Sequence, residues 1–256
     1  MSKDPAAEDS KISPDTLFNG RLICRQPSRG YRFSLDAVLL ANFVGLRAGA
    51  RVLDLGAGCG VISLIMAWRS PEVAITALEL QPSLFELCLS NIELNKLALR
   101  IQGIQGDLRR VSSLFKAASF DLVVCNPPYY KVGSGRINPA SEQAAARHEI
   151  TADIGQCAKA AAWALRSHGR AAFIFPARRG AALLSALHAH RLEAKRLQVV
   201  YSFPGAAGRL LMVEAVKGGG EELQIMPPFY IYKTAEGRQY TPEMTAFFAG
   251  DKKGVL

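Results

Sequence analysis

Val52-Leu53-Asp54-Leu55-Gly56-Ala57-Gly58-Cys59-Gly60 reads as a short apolar strand running into a glycine-rich turn. The apolar residues that follow it, 61–68, continue as a helix. Glycines at such a turn let the backbone reverse sharply and let a ligand approach the main chain. Outward from this stretch, strand and helix patterns alternate. Segments 73–78, 101–105, 120–125 and 170–175 are predicted strands. Segments 82–95, 151–165 and 181–189 are predicted helices, the first with Pro82 suited to its opening turn. Two strands, 197–201 and 210–216, follow without a long helix between them, the mark of an antiparallel hairpin. Repeated strand-helix units make an α/β chain, with a mostly parallel, Rossmann-like sheet of seven strands. Helices cover both its faces, and the hairpin lies at one edge.

Around this core the chain divides simply. Residues 1–18 are polar and aperiodic, and are expected to form a flexible tail. Residues 19–50 form an extension: a strand or hairpin over 21–33, then a helix over 35–45 with Ser34 placed as its cap. The main domain is expected over 51–245, with a short tail at 246–256.

Composition narrows the functional classes. Of the 256 residues 49% are hydrophobic and 21% charged, an ordinary globular balance. The polar start lacks the features of a secretory signal, and no stretch has the length of a membrane span. A cytoplasmic protein that does not engage a membrane is therefore expected. Cys24, Cys59, Cys88, Cys125 and Cys157 are odd in number and contain no C-x-x-C pair, which excludes a disulfide framework and gives no metal site. They read as buried reduced thiols. The formal net charge of +9 suits a polyanionic partner such as RNA. Arg21, Arg25, Arg29, Arg32, Arg109, Arg110, Arg166, Arg170, Arg178 and Arg179 are the candidate contacts, since arginine pairs bidentately with phosphate.

The glycine turn admits two cofactors, and its neighbours separate them. A dinucleotide turn, G-x-G-x-x-G, would need a small residue where Val61 stands; the third glycine comes one position early, at Gly60. Asp54 at the strand end would repel a pyrophosphate. S-adenosylmethionine carries no phosphate, but it does carry an ammonium and a sulfonium, which favour an acid there. Glu79 ends the next strand, where a carboxylate accepts from both ribose hydroxyls. Asp107 follows the third strand and suits an adenine amino group. The expected cofactor site thus comprises Asp54, Gly56, Ala57, Gly58, Gly60, Glu79, Leu80, Asp107 and Leu108.

The fourth strand, Phe120–Cys125, runs into Asn126-Pro127-Pro128-Tyr129. Two prolines fix the backbone and remove two N–H donors, so carbonyls face a ligand. An exocyclic adenine amino group or a carboxamide nitrogen is a poor nucleophile, because its lone pair is delocalised. The Asn126 oxygen and the Pro127 carbonyl together accept from both its N–H groups, which favours a pyramidal nitrogen and aims its lone pair at a methyl donor. Tyr129 offers a ring for stacking, worth about 1–3 kcal/mol per base. The segment 132–138, with Gly133 and Gly135, reads as a flap near the substrate.

With both motifs in place, the chain resembles the class I methyltransferases with an N/D-P-P-Y/F/W signature. Among them it is most similar to the bacterial tRNA(Val) adenine N6-methyltransferase family, also described as small-domain methyltransferases. The likeness extends to Arg32-Phe33-Ser34-Leu35-Asp36-Ala37, Ala146-Arg147-His148-Glu149, Lys195-Arg196-Leu197-Gln198, Leu211-Met212-Val213-Glu214 and Pro227-Pro228-Phe229-Tyr230-Ile231-Tyr232, and covers about residues 20–245. It implies that Asn126 to Tyr129 hold the target amino group, that Asn126 also lies at the cofactor, and that Ser34 and Asp36 close over its methionine end. It implies a tRNA adenine as substrate; a loop base leaves its stack more cheaply than a duplex base. Arg147 and His148 read as a structural ion pair or helix cap ahead of a contact to RNA. Protein glutamine N5-methylation presents the same kind of nitrogen to the same signature and stays open at this point, as does a non-catalytic RNA-binding module of the same fold.

Overall fold

The computed structural model describes residues 12–27, 35–127 and 152–250. Its centre is a nine-stranded sheet. Strands β3 (Arg51–Leu55), β4 (Ala74–Glu79), β5 (Ile101–Gln105), β6 (Phe120–Cys125) and β7 (Leu165–Pro176) are parallel to one another. β8 (Leu192–Tyr201) and β9 (Gly208–Lys217) form the expected antiparallel hairpin, with β9 inserted beside β7. The strand order is β10-β8-β9-β7-β6-β3-β4-β5. The seven expected strands are all present. The two additional ones are the two-residue β10 (Gln224–Ile225) and β11 (Phe229–Tyr230), both parallel to β8.

Alternation along the strands makes two apolar layers. Val52, Leu122, Val124, Ala172 and Ile174 face one layer, and Leu53, Leu55, Val123, Cys125, Ala171 and Phe173 the other. Burial on both faces explains why β3 and β6 are mostly apolar, interrupted past their first residues only by Asp54 and Asp121. The first layer is closed by α1 (Leu35–Phe43), α2 (Val61–Arg69) and α3 (Pro82–Leu94). The second is closed by α4 (Val111–Leu114), α5 (Ile154–Ala164) and α6 (Gly180–Ala189).

Both expected tails need correction. Residues Ile12–Leu17 form β1, paired antiparallel with β2 (Leu22–Pro27). The pairing is driven from the turn: Phe18 is fully buried and stacks on Trp68, ring centroids 5.7 Å apart. Pro14 is tolerated because β1 is an edge strand. At the other end, Pro242–Ala249 is a helix, α7, rather than the start of a tail. Thr241 caps it by accepting the Met244 N–H at 3.2 Å, and Met244 and Phe247 are buried, Phe247 stacking on Phe229. The Phe18 N–H donates to the Phe248 carbonyl at 3.0 Å, so the two ends of the described chain meet.

The hairpin docks on α3 through two carboxamides that act as a substitute strand. Asn95 accepts the Ile23 N–H at 3.0 Å and donates to the Ile23 carbonyl at 2.7 Å. Asn91 does the same with Arg25, at 2.7 Å and 2.9 Å. The spacing fits, because four helical residues rise about 6 Å and two strand residues about 6.6 Å. Asn91 also donates to the Cys59 carbonyl at 2.9 Å, tying the hairpin to the glycine turn. Asn91→Ala strips buried partners from all three groups and is expected to lower the unfolding free energy by about 1–3 kcal/mol, more than Asn95→Ala. Urea unfolding of both variants measures this; equal stability to the parent chain would contradict the carboxamide pairing.

Candidate active site

The strand order reverses direction at β3, with β4 on one side and β6 on the other. Open α/β sheets bind ligands at the carboxyl ends of the strands flanking such a point. Leu55 and Cys125 are register partners at the tips of β3 and β6. The next residues, Gly56 and Asn126, therefore leave the sheet side by side.

The glycine turn is built as its sequence requires. Gly56, Gly58 and Gly60 have φ of 73°, 57° and 87°, a region that side-chain-bearing residues rarely adopt. A Cβ at Gly60 would also lie 2.7 Å from the Cys88 sulfur. Gly56 and Ala57 both donate to the Leu78 carbonyl at 2.9 Å. Glu79 holds the turn from the end of β4: its Oε2 accepts the Gly58 N–H and its Oε1 the Gln81 N–H, each at 2.8 Å. Glu79 is buried, whereas Leu80 beside it is 42% exposed, an apolar surface at the strand tip.

Asp54 is fully buried on β3, on the face toward α2. Its Oδ2 accepts the Ser63 hydroxyl at 2.7 Å, while its Oδ1 has no hydrogen-bond partner among the described residues. Burial pushes its pKa up to about 7, with the nearby Glu79 adding to the rise and the Ser63 hydrogen bond opposing it. Ser63 escaped the sequence reading. The signal was a lone hydroxyl in the apolar run Val61-Ile62-Ser63-Leu64-Ile65-Met66. Asn91 was missed too, because its partners are 32 and 66 residues away in sequence.

Asp107 lies beyond β5 and is engaged differently from the expectation of a carboxylate awaiting a ligand. It accepts the Arg109 Nε at 2.9 and 2.8 Å, the Arg109 Nη2 at 2.5 Å, and the Arg109 backbone N–H at 2.9 Å. Those bonds hold its pKa below the usual carboxylate range. Leu108 follows, half-buried. Asn126 is half-buried and Pro127 buried, and Asp36 is buried in the first turn of α1, which packs on α2. Ser34, Pro128 and Tyr129, the 132–138 segment, Arg147 and His148 lie outside the described residues, as do Arg29 and Arg32.

The candidate arginines separate into two groups. Arg170 is structural: it donates to the buried Glu214 at 3.1 Å and to the Gly45 carbonyl at 2.6 Å, cross-linking β7, β9 and the end of α1. Arg166 pairs with Asp121 at 2.6 Å. Arg178 and Arg179 instead stand just beyond the carboxyl end of β7, on the same edge as Asn126. All five cysteines are buried and reduced, and burial pushes the Cys88 thiol up to about 12. Among the described residues no cluster of His, Cys, Asp or Glu is placed to hold a metal ion, and no helix is long and apolar enough to cross a membrane.

Residues 35–175 match the family model described as methyltransferase small domain. The tRNA1(Val) (adenine(37)-N6)-methyltransferase of Shewanella frigidimarina is 32% identical over 176 residues, 67% of this chain and 69% of that protein. Its namesake from Porphyromonas gingivalis is 31% identical over 189 residues, 72% and 73% of the two chains. Among solved structures, a predicted O-methyltransferase from Agrobacterium tumefaciens superimposes with a TM-score of 0.69 at 23% identity, covering 84% of this chain and 96% of its own. That likeness establishes the fold.

The environment of Asp54 has a measurable consequence. The native carboxyl keeps its proton up to about pH 7, whereas the unfolded one loses it near 3.8. Between those values the native state binds the extra proton, so stability falls as pH rises through that window and levels off above it. Asp54→Asn removes this fall. Urea unfolding at pH 5 and pH 8 is expected to show the variant gaining on the parent chain by a few kcal/mol, to order of magnitude; parallel pH profiles would contradict the burial of an unpaired carboxylate.

Proposed function

The chain belongs to the methyltransferase small-domain family and, within it, with the tRNA1(Val) (adenine(37)-N6)-methyltransferases, and from that premise we propose that it moves a methyl group from S-adenosylmethionine to the exocyclic N6 of a tRNA adenine. The observation that carries this reading is the β3–β6 register. It sets the glycine turn and Asn126 next to each other at the switch point of the sheet.

The residues fit the cofactor. Among the described residues the Oδ1 of Asp54 has no donor, and the ammonium of the methionine moiety would supply one while favouring the ionised carboxylate. Glu79 is already oriented by the Gly58 and Gln81 N–H groups, and its oxygens retain lone pairs for two ribose hydroxyls. Leu80 offers an apolar surface for the adenine face, and Leu108 follows the neighbouring strand. Arg109 already engages both oxygens of Asp107, so Asp107 accepts from the adenine amino group by giving up part of that contact. Gly56, Ala57, Gly58 and Gly60 bring the main chain to the ligand, and Ser34 and Asp36 close the methionine end. S-adenosylmethionine supplies an electrophilic methyl on a sulfonium.

The chain's own part in the reaction is positioning. Asn126 and Pro127 accept both N–H groups of the target nitrogen and turn its lone pair toward the turn beside them. Pro128 stiffens the segment, and Tyr129 stacks on the extruded base. A proton is lost after transfer, so no histidine or cysteine base is required. Orientation of this kind supplies roughly 7–11 kcal/mol in well-aligned reactions.

Incubating the protein with methyl-labelled cofactor and, separately, total RNA and total protein tests the reading. Label is expected in tRNA as N6-methyladenosine. Asn126→Ala should lose about 10²–10³ in kcat, the usual cost of deleting one polar group aligned with the reacting centre. Label confined to protein and surviving ribonuclease would move the assignment to glutamine methylation.

A further inference from the structure

The carboxyl edge of the sheet is divided by charge, and Asn126 stands at the division. On one side are the tips of β3, β4 and β5, carrying Asp54, Glu79 and Asp107. Arg109 there is bound to Asp107, leaving Arg110 as the exposed cation of that half among the described residues. On the other side the order is β7, β9, β8, β11. β7 and β8 run parallel to β6, since each is antiparallel to β9, so the ends of β7 and β8 and the start of β9 all reach the same edge as Asn126.

Cations line this second half. Arg178 is exposed just past β7, beside Arg179, whose guanidinium lies 4.8 Å above the Phe175 ring. Arg209 is exposed at the start of β9. Beyond β11 the chain continues outward into a turn whose residues 233–239 are all exposed, including Lys233 and Arg238. That turn is rigidly mounted. Tyr232 and Tyr240 stack at 5.3 Å beneath it, the Lys233 N–H donates to the Gln239 carbonyl at 2.9 Å, and the Thr241 hydroxyl donates to the Tyr230 carbonyl at 2.8 Å. The acids in these segments are Glu236 in the turn and Glu243 at the start of α7, so five cations face two acids. Tyr201 and Tyr230, with rings 5.6 Å apart, lie between Arg209 and the turn. At about 4.8 Å per strand the row extends roughly 19 Å from β6 to β11.

Opposite charges on the two halves suit two ligands of opposite charge meeting at Asn126. The acidic half matches a sulfonium donor; the cationic half, with its tyrosines, matches a polyanion carrying bases. We propose that the β7–β9–β8–β11 half of the carboxyl edge is the docking surface for the RNA sugar-phosphate backbone, with the turn at 233–238 as its outer contact. This rests on the tRNA reading above, and it assigns phosphate-binding work to Arg178, Arg209, Lys233 and Arg238.

The test is equilibrium binding of bulk deacylated tRNA by the full chain between 50 and 200 mM salt. Two double variants, Arg178→Gln with Arg209→Gln and Lys233→Gln with Arg238→Gln, are compared with a charge-matched control, Arg47→Gln with Lys116→Gln, exposed positions at the amino edge. Each edge double is expected to weaken tRNA binding roughly tenfold and to flatten the salt slope by about 1–2, as loss of two phosphate contacts does. Thermal midpoint and cofactor affinity should stay at the parent values, and the control should bind as the parent does. Parent-like affinity and slope in both edge doubles, no tRNA binding by the parent, or an equal loss in the control would each overturn the surface. Methyl transfer is scored separately. Surface-dependent tRNA binding without transfer would keep the surface and overturn the proposed reaction.

Discussion

A buried carboxylate oxygen left without a donor costs about 1–3 kcal/mol or more, and folded chains seldom keep one without a use for it. Among the described residues Asp54 keeps such an oxygen at the tip of the central strand, with Ser63 satisfying only its other one. The surrounding structure holds this arrangement in place. Leu55 pairs across to Leu78 and Cys125, Glu79 grips the glycine turn from the neighbouring strand, and Asn91 ties the same turn to the amino-terminal hairpin. The strain is concentrated where a cation would relieve it.

The parallel register of β3 with β6 then joins binding to chemistry. It lets the turn we propose for a positively charged donor adjoin the segment we propose to accept from an amino group, without a long loop between them. The sheet's order also sorts the charged side chains: Asp54, Glu79 and Asp107 lie at strand ends on one side of Asn126, and Arg178, Arg209, Lys233 and Arg238 on the other. A single strand order thus organises the donor site, the acceptor segment and the inferred RNA surface.

Much of this was legible in the residues. β3, β5 and β6 begin and end where the sequence reading puts them: β3 and β5 stop at Gly56 and Gly106, and β6 stops at the Asn126-Pro127 pair. β8 starts five residues earlier than expected, at Leu192. Its polar stretch is made compatible with a strand by partners from elsewhere: Glu193 with His188, Lys195 with Glu222, and Arg196 with Glu214. β1, β10, β11 and α7 were missed for a related reason. β10 and β11, two residues each, are too short for a periodic signal, while β1 and α7 depend on long-range contacts such as Phe18 on Trp68 and Phe247 on Phe229. At the site, the acids and glycines declared themselves through spacing along the chain. Ser63, Asn91 and the Arg109 clamp on Asp107 act through geometry that only the folded chain supplies.

The most direct measurement is a carboxyl-carbon NMR titration of Asp54, performed with and without S-adenosylmethionine. The account predicts a midpoint of about 7 in the free protein and a drop of at least about one unit when the ammonium sits beside Oδ1. A midpoint that stays in place when the cofactor binds would contradict the claim that this orphaned oxygen receives it.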